Sequence, residues 1–336
     1  MLPISIYSGR WGYGHCQGIA VDAKREYIYY SFTTALVKTD MQGNLVGTCT
    51  GLLGHLGCIA FNDEDGRVYG SLEYKNDAIG RGILNKAGHA EDITDAFYIV
   101  RFDVEKIDRV GMDACMDGVM KGIYLREVVE DYHAEVECDG RKVLHRHGCS
   151  GIDGTSFGPM PGDLDGKRYL FVTYGIYSDL DRTDNDDQVL LCYDTEGWDA
   201  YAQPISQDNM HVCGPEKPTR KLFVRTGNTN WGVQNLEYDP YCKGFLMAVY
   251  TGKKPNWPNK PMYIVDATVA PDGDRLTLKE APDCIGWDYA YGSTGLIALG
   301  DGTYYVSYDG KEDGEYFTNV RLCRWNGVTP IEPVEA

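Results

Sequence analysis

The sequence predicts an all-β fold, a five-bladed β-propeller, and two features of the chain predict it. A short pattern of glycine, apolar and small residues recurs, reading GHCQGIAVD at 14–22 and GHLGCIAFN at 54–62, with looser copies from Asp153, Gln234 and Thr294. After each copy come runs rich in β-branched and aromatic residues separated by turns, which indicates consecutive antiparallel strands. Repeated units of about four short strands are typical of propeller blades.

The elements follow in order along five units. Unit one is the clearest, with strands predicted at 18–21, 27–32, 36–40 and 45–48. The later units give strands at 59–61, 67–72, 97–102, 169–174, 188–193, 202–205, 245–250, 262–265, 276–279, 303–308 and 320–325. Two stretches do not fit this scheme, and we interpret them as insertions at about 75–95 and 111–147. The second contains a helix or hairpin around 119–131 and a two-residue turn at Asp139-Gly140.

The two ends of the chain are predicted to complete one blade together. The fifth unit lacks a last strand, while residues 3–8 form an apolar strand that no unit uses. An N-terminal strand that closes the last blade would remove the free sheet edges that invite aggregation. Because no linker divides the sequence, we expect residues 1–336 to form a single propeller domain.

The amino-acid composition and net charge limit the classes of molecule that the protein could bind. The chain has 336 residues and a formal charge of −18, which argues against nucleic acid or an anionic membrane surface as partner. No apolar run is long enough for a membrane span, and residues 1–10 do not have the pattern of a signal peptide. Eleven cysteines without CxxC pairs fit reduced thiols in a cytoplasmic protein. We expect a small-molecule or oligosaccharide ligand, and the oligomeric state stays open.

The fold predicts where a ligand would bind. In a propeller, the loops that enter the innermost strands lie on one face, so the residues just before these strands and after the second strands share one mouth. The residues at these positions include His145, Arg146, Asp153 and Lys253, together with the candidates given below. Mixed aromatic and polar groups in a concave mouth suit a small ligand. They differ from blade to blade, which favours one asymmetric site.

Carboxylates in this mouth are the catalytic candidates. Glu73 ends a strand two residues from Lys75, and Asp179 supplies a second carboxylate across the mouth. We assign them as acid and base, with His147 as a third catalytic residue. The predicted substrate-binding residues are Gln17, Lys75, Tyr174, Arg182, Asn230, Trp231, Gln234, Tyr291 and Asp309.

Histidines suggest a metal site. His15 and His55 occupy equivalent positions of adjacent repeats, and with His147 they could ligate one divalent ion such as Ca²⁺, Mn²⁺ or Zn²⁺. The alternative is that each histidine hydrogen-bonds the backbone of the neighbouring blade.

With these five units and this polar mouth, the chain resembles the five-bladed β-propeller superfamily, whose members include glycoside hydrolases, nucleotide-cleaving apyrases and sugar-binding lectins. The resemblance implies a carbohydrate-active enzyme that cleaves a glycosidic bond as a hydrolase or lyase. One alternative is a metal-dependent phosphoesterase or nucleotidase, for which Lys75, Arg146, Arg182 and Lys253 would bind phosphate. Another is a non-catalytic sugar-binding or interaction propeller.

Overall fold

The chain folds as a five-bladed β-propeller, with five small antiparallel sheets arranged in a ring. The computed structural model describes residues 2–89, 91–227, 229–280, 285–326 and 331–335. No helix in these ranges is long and apolar enough to cross a membrane.

Blades one and two follow the predicted order closely. A first strand, β1 (Ser5–Tyr7), belongs to the last blade, and blade one contains β2 (Cys16–Val21), β3 (Tyr27–Phe32), β4 (Ala35–Asp40) and β5 (Leu45–Thr50). Next come β6 (His55–Asn62), β7 (Arg67–Tyr74), helix α1 (Ala78–Lys86), β8 (Ala96–Phe102), β9 (Met112–Asp113) and β10 (Met120–Tyr124). Strands β6, β7, β8 and β10 form blade two, whereas β9 runs parallel to β5 of blade one.

The insertions carry both helices. The first insertion contains α1, and the second contains β9 and β10, followed by α2 (Arg126–His133) and a hairpin of β11 (Glu135–Cys138) and β12 (Arg141–Leu144). The predicted turn at Asp139-Gly140 is confirmed, since Cys138 pairs with Arg141 across it.

Blades three to five complete the ring. Blade three contains β13 (Cys149–Pro159), β14 (Arg168–Ile176), β15 (Asp187–Tyr193) and β16 (Arg220–Arg225), and blade four contains β17 (Asn230–Asp239), β18 (Gly244–Tyr250) and β19 (Met262–Asp266). Blade five is built from β20 (Leu296–Ala298), β21 (Thr303–Glu312), β22 (Glu315–Arg324) and the short β23 (Glu332–Pro333), together with β1.

One predicted outer strand is wrong, and another lies beside β19 as predicted but is shorter. Residues 202–205 do not end blade three, because β16 pairs with β15 there. Instead Gln203 bridges to Gly122 of β10, and Ile205 packs against the same glycine. Residues 276–279 form only a single bridge, between Leu278 and Val265. Short apolar runs inside connecting segments resemble strands in sequence, and the sequence does not show which edge they meet.

Closure of the ring by the N-terminal strand is confirmed. Strand β1 pairs antiparallel with β22, with Ile6 opposite Val320. The Ile6 side chain is buried in the core between blades five and one, beside Tyr305 and Tyr30. The two ends of the chain are therefore joined within one sheet, which removes a free edge.

The axis is held by hydrogen bonds between inner strands. Asn235 of β17 donates to the carbonyl oxygens of Gln17 (2.8 Å) and Ser293 (2.9 Å). Thr155 of β13 donates to the carbonyl oxygen of Cys58 at 2.6 Å. These buried groups lie midway along the inner strands and fix the blades against one another, so a site at one mouth rests on a rigid frame.

Candidate functional site

One end of the axial channel opens into a polar pocket of about 190 Å³, which we call the axial pocket. Its walls come from the inner strands of blades one to four and from the segments next to them. The lining residues are His15, Gln17, His55, Glu73, Lys75, Ile79, Ser150, Asp153, Trp231, Gln234 and Tyr250.

A repeated backbone irregularity aims polar side chains at this pocket. Where β2, β13 and β17 pair with the next strand of their blades, the register shifts between Cys16 and Gly18, between Ile152 and Thr155, and between Val233 and Asn235. The residues inside these shifts include Gln17, Asp153 and Gln234, and all three line the pocket. A bulge re-aims the side chain that it carries. The propeller repeat thus delivers three polar groups to one place.

A fourth register shift of this kind, in β6, contains a glycine and leaves space for a neighbouring side chain. It lies between Leu56 and Ile59 and contains Gly57. A Cβ atom at Gly57 would lie 2.8 Å from Oδ1 of Asp153, too close for any side chain. Glycine in blade two is therefore what lets Asp153 of blade three reach the axis.

Glu73 and Lys75 form a buried ion pair at the wall of the pocket. Lys75 Nζ lies 2.8 Å from Glu73 Oε2 and donates to the carbonyl oxygen of Ser150 at 2.7 Å. The same carboxylate oxygen lies 3.4 Å from Nδ1 of His55. The other oxygen, Oε1, accepts a hydrogen bond from the backbone N–H of Ile152 at 2.5 Å. Both oxygens of Glu73 are thus occupied.

Gly151 makes this arrangement possible. Its φ of +128° is outside the range that other residues adopt readily, and a Cβ atom there would overlap Oε1 of Glu73. Only glycine brings the backbone of β13 close enough for the Ile152 N–H to reach the carboxylate.

The environment separates the pKa values of the two carboxyl groups. Burial alone would raise the pKa of Glu73, but the attraction of Lys75 and His55 outweighs burial and holds the pKa below its usual value. Burial, reinforced by the charge of Glu73, raises the pKa of Asp153 to about 7. Near neutral pH, Glu73 is ionised while Asp153 can hold a proton. Two carboxyl groups set apart in this way are the usual form of an acid–base pair.

The two histidines of the axial pocket also differ in pKa. Burial alone would lower the pKa of His55, but the adjacent carboxylate of Glu73 and the charge of Asp153 raise it. Burial and the neighbouring His55 lower the pKa of His15. At a pH between their two pKa values, a charged His55 and a neutral His15 therefore face the pocket.

Asp153 is buried but makes few side-chain hydrogen bonds. Its Oδ2 accepts a hydrogen bond of 3.2 Å from Gln234, whose side chain also donates to the carbonyl oxygen of Trp231 at 3.1 Å. Trp231 has a φ of +69°, an unusual conformation for a tryptophan, and its ring packs edge-on to Tyr177. Strain of this kind persists where the surroundings fix it, often at a binding site.

A larger cavity continues from the axial pocket. This outer cleft has a volume of about 650 Å³ and shares His15, Gln17, His55 and Ile79 with the axial pocket. One wall is helix α1, whose N-cap Asp77 accepts hydrogen bonds from the N–H groups of Ile79 and Gly80. The two cavities together could hold a ligand longer than a single sugar ring.

Seven of the predicted site residues come together. The axial pocket gathers Glu73, His15, His55, Gln17, Lys75, Trp231 and Gln234. Asp309 is exposed and does not line this pocket, but its charge acts on the pKa of His15. Asn230 and Tyr291 also lie outside the lining, and Tyr291 packs on Tyr308 with ring centroids 4.3 Å apart.

Four predicted site residues have other surroundings. Asp179 lies in the loop after β14, where it accepts a hydrogen bond from the N–H of Asp181 at 2.9 Å. Arg182 pairs with Asp184 at 2.6 Å and donates to the carbonyl oxygens of Leu144 and His145, so it holds two loops together. Tyr174 is fully buried and donates to Asp131, and His147 packs on Phe223 of β16. None of the four lines either cavity described here.

The predicted metal set is not assembled. His15 and His55 share the axial pocket, but His147 lies beside the outer strand of blade three. Among the residues that the structure describes, no group of three or more His, Cys, Asp or Glu side chains is arranged to hold a metal ion. The three histidines do not fit one ion, so we derive no chemistry through a metal.

Four residues that line the pocket are not among the predicted site residues: Ile79, Ser150, Asp153 and Tyr250. Asp153 is among the mouth residues recognised from the sequence, but it received no role in catalysis. Tyr250 was placed only as the end of a strand. The signal for Asp153 was its place in a copy of the repeat equivalent to that of Gln17. A register shift cannot be read from sequence, however, and the shift is what turns Asp153 to the axis.

No protein-family model and no curated protein sequence matches the chain. Among solved structures, it is similar to the soluble aldose sugar dehydrogenase of Escherichia coli, with 11% identity, a TM-score of 0.39, and 94% of this chain and 98% of that one covered. A gluconolactonase from Xanthomonas campestris gives 9% identity and a TM-score of 0.40, with 91% and 72% covered. The PQQ domain of a pyranose dehydrogenase from Coprinopsis cinerea gives 15% and 0.37, with 90% and 81% covered.

Proposed function

We propose that this chain is a carbohydrate-active enzyme that cleaves a glycosidic bond in the axial pocket, with Asp153 as the group that transfers the proton. One observation carries the proposal. Asp153 stands at the mouth of the axial channel with a pKa raised to about 7 by burial, beside the ionised Glu73. A carboxyl group protonated near neutral pH is what departure of a glycosidic oxygen requires.

Hydrolysis and elimination share this step. In both reactions the bond from the sugar carbon to the leaving oxygen breaks, and an acid gives that oxygen a proton. In hydrolysis the oxygen of water bonds to the sugar carbon in its place, whereas in elimination a base removes a proton from the adjacent carbon and a carbon–carbon double bond forms. Asp153 can do so because its proton is held only moderately at neutral pH. Glu73 is a positioning residue in this scheme, since Lys75, His55 and the backbone of Ile152 occupy both of its oxygens.

The walls of the pocket suit a sugar. Trp231 and Tyr250 offer aromatic surface, and the side-chain amides of Gln17 and Gln234 offer donors and acceptors. A mixture of aromatic walls and a few placed polar groups is the common form of a small-ligand site. These four residues come from blades one and four.

Three of the four basic residues named for the phosphate-binding alternative are paired with carboxylates. Arg146 pairs with Asp131 at 2.9 Å, Arg182 pairs with Asp184, and neither lines the axial pocket. Lys75 is engaged by Glu73. The basic groups named for gripping a phosphate therefore do not converge on the pocket.

The test compares Asp153→Asn with a matched control, Asp179→Asn. Purified variants are assayed on a panel of aryl glycosides and neutral and uronate-containing oligosaccharides, and folding is checked by circular dichroism. We expect the Asp153 variant to lose at least about 100-fold in kcat, in the range of general acid catalysis, and the Asp179 variant to match the wild type. Wild-type turnover in the Asp153 variant would overturn the proposal. Saccharide binding without any turnover would indicate a non-catalytic propeller.

A further inference from the structure

The residues that line the outer cleft include basic residues but no acidic ones, which is unusual for this acidic protein. The chain carries 50 acidic and 32 basic residues, so acidic residues are about 15% of the total. At that frequency, the 18 residues that line the cleft would include about three carboxylates. The described lining has none, and it includes Lys86, Lys311, His15 and His55.

The two lysines come from separate elements and face no competing carboxylate in the lining. Lys86 ends helix α1, and Lys311 lies on the hairpin of β21 and β22, with its ammonium group 4.7 Å from the centre of the Tyr316 ring. Lys86 is close enough to His15 to lower the pKa of that imidazole, after burial and His55. Two cations thus line the same cleft, and its described lining includes no carboxylate.

Of the four acids closest to Lys311 in sequence, three are engaged by Arg10, and the fourth is Asp309, whose charge acts on His15. Glu312, Asp313 and Glu315 all lie within 4 Å of the Arg10 guanidinium, at 3.1, 3.4 and 3.8 Å. Arg10 therefore offsets the negative charge of these three carboxylates. This leaves the ammonium group of Lys311 available to a ligand in the cleft.

From this arrangement we propose that the outer cleft binds a negatively charged group of the substrate, so that the substrate is an anionic saccharide, one that carries a carboxylate or a phosphate. The inference rests on the proposed function, because the cleft opens into the axial pocket through His15, Gln17 and His55. A protein of charge −18 repels anions over most of its surface, and a local cationic lining overcomes this where the ligand must enter. Ammonium groups bind carboxylate and phosphate through charge-assisted hydrogen bonds.

The rest of the lining fits a saccharide. Tyr13 and Tyr316 give aromatic surface, Thr33 and Thr34 give hydroxyl groups, and Ile79 closes the cleft at α1. With the anionic group near Lys86 and Lys311, the remainder of the molecule can extend toward Asp153. The cleft thus sets which end of the substrate lies at the reacting position.

The experiment removes both lysines. The variant Lys86→Met/Lys311→Met is compared with Lys106→Met/Lys142→Met, which removes the same charge from exposed positions outside the cleft. Each protein is assayed with a uronate oligosaccharide, its neutral methyl ester and a phosphorylated oligosaccharide. We expect the cleft variant to raise KM for the better anionic substrate at least tenfold while kcat changes less than twofold. The methyl ester and the control variant should show no such change.

The outcomes separate this inference from the proposed function. If wild type and cleft variant cleave the neutral ester and the acid with equal KM, the anionic preference is wrong while glycosidic cleavage stands. If no saccharide, neutral or charged, is bound or cleaved, both proposals are overturned. Comparison of the uronate oligosaccharide with the phosphorylated oligosaccharide decides which anionic group the two lysines bind.

Discussion

At the scale of single residues, the site depends on two carboxyl groups with opposite surroundings. Glu73 has a cation, an imidazole and a backbone N–H around it, whereas Asp153 has one amide and a neighbouring negative charge. Because the pKa of Asp153 is higher in the folded chain than in the unfolded chain, this residue lowers stability progressively as the pH rises from about 4 to about 7. A carboxyl group that lowers the stability of the fold in this way is consistent with a catalytic role.

Replacing Glu73 by Gln should destabilise the protein strongly. The change leaves the ammonium group of Lys75 buried beside a neutral amide, although Asp77 at 3.6 Å offers partial compensation. Loss of one partner of a buried ion pair typically costs about 3–5 kcal/mol in the free energy of unfolding. Urea unfolding at pH 7 measures this. The double variant Glu73→Gln/Lys75→Met should recover part of the loss, and an unchanged unfolding midpoint for the single variant would contradict our description of the pair.

At the scale of elements, the inner strands were the most predictable part of the fold. The repeated motif located β2 and β6 because glycine, small and apolar residues recur wherever a strand lies at the crowded axis. Outer strands were less predictable, as the error at residues 202–205 shows, since they meet neighbours that differ from blade to blade. Helix α1, which forms a wall of the outer cleft, was predicted only as an unassigned insertion.

The strand that closes the ring gives a prediction with an internal control. Ile6 of β1 is buried, whereas Ile4, two residues earlier, is 41% exposed. We expect Ile6→Ala to lower the free energy of unfolding by about 2–5 kcal/mol through the cavity it leaves, and Ile4→Ala to change it by less than about 0.5 kcal/mol. Thermal and urea unfolding of the two variants test this. Equal effects would show that β1 does not hold blade five closed.

At the scale of the whole molecule, the propeller gathers groups that are far apart in sequence. Gln17, Asp153 and Gln234 are more than 80 residues from one another, yet equivalent places in three blades bring them to one pocket. Fold symmetry made this gathering predictable. Asp179 and His147 were assigned to the same mouth on the same reasoning, but the long loops of blade three carry them outward, where Asp181 and Phe223 are their contacts.

The two ends of the axial channel differ in character. The opposite end contains a separate cavity of about 270 Å³, where Glu237 accepts a hydrogen bond of 2.9 Å from the N–H of Ala298. Buried polar groups such as Asn235 and Thr155 lie between the two cavities. The molecule therefore presents the Glu73–Lys75 pair, Asp153 and the cationic cleft at one end only.

The central claim is that Asp153 holds a proton near neutral pH, and its titration tests this most directly. Carbon-13 NMR of aspartate carboxyl groups from pH 3 to pH 9 should show one resonance with a midpoint near pH 7, and that resonance should be missing from Asp153→Asn. If every aspartate titrates near its ordinary value of about 4, or if the high-pH resonance persists in the variant, the account is contradicted.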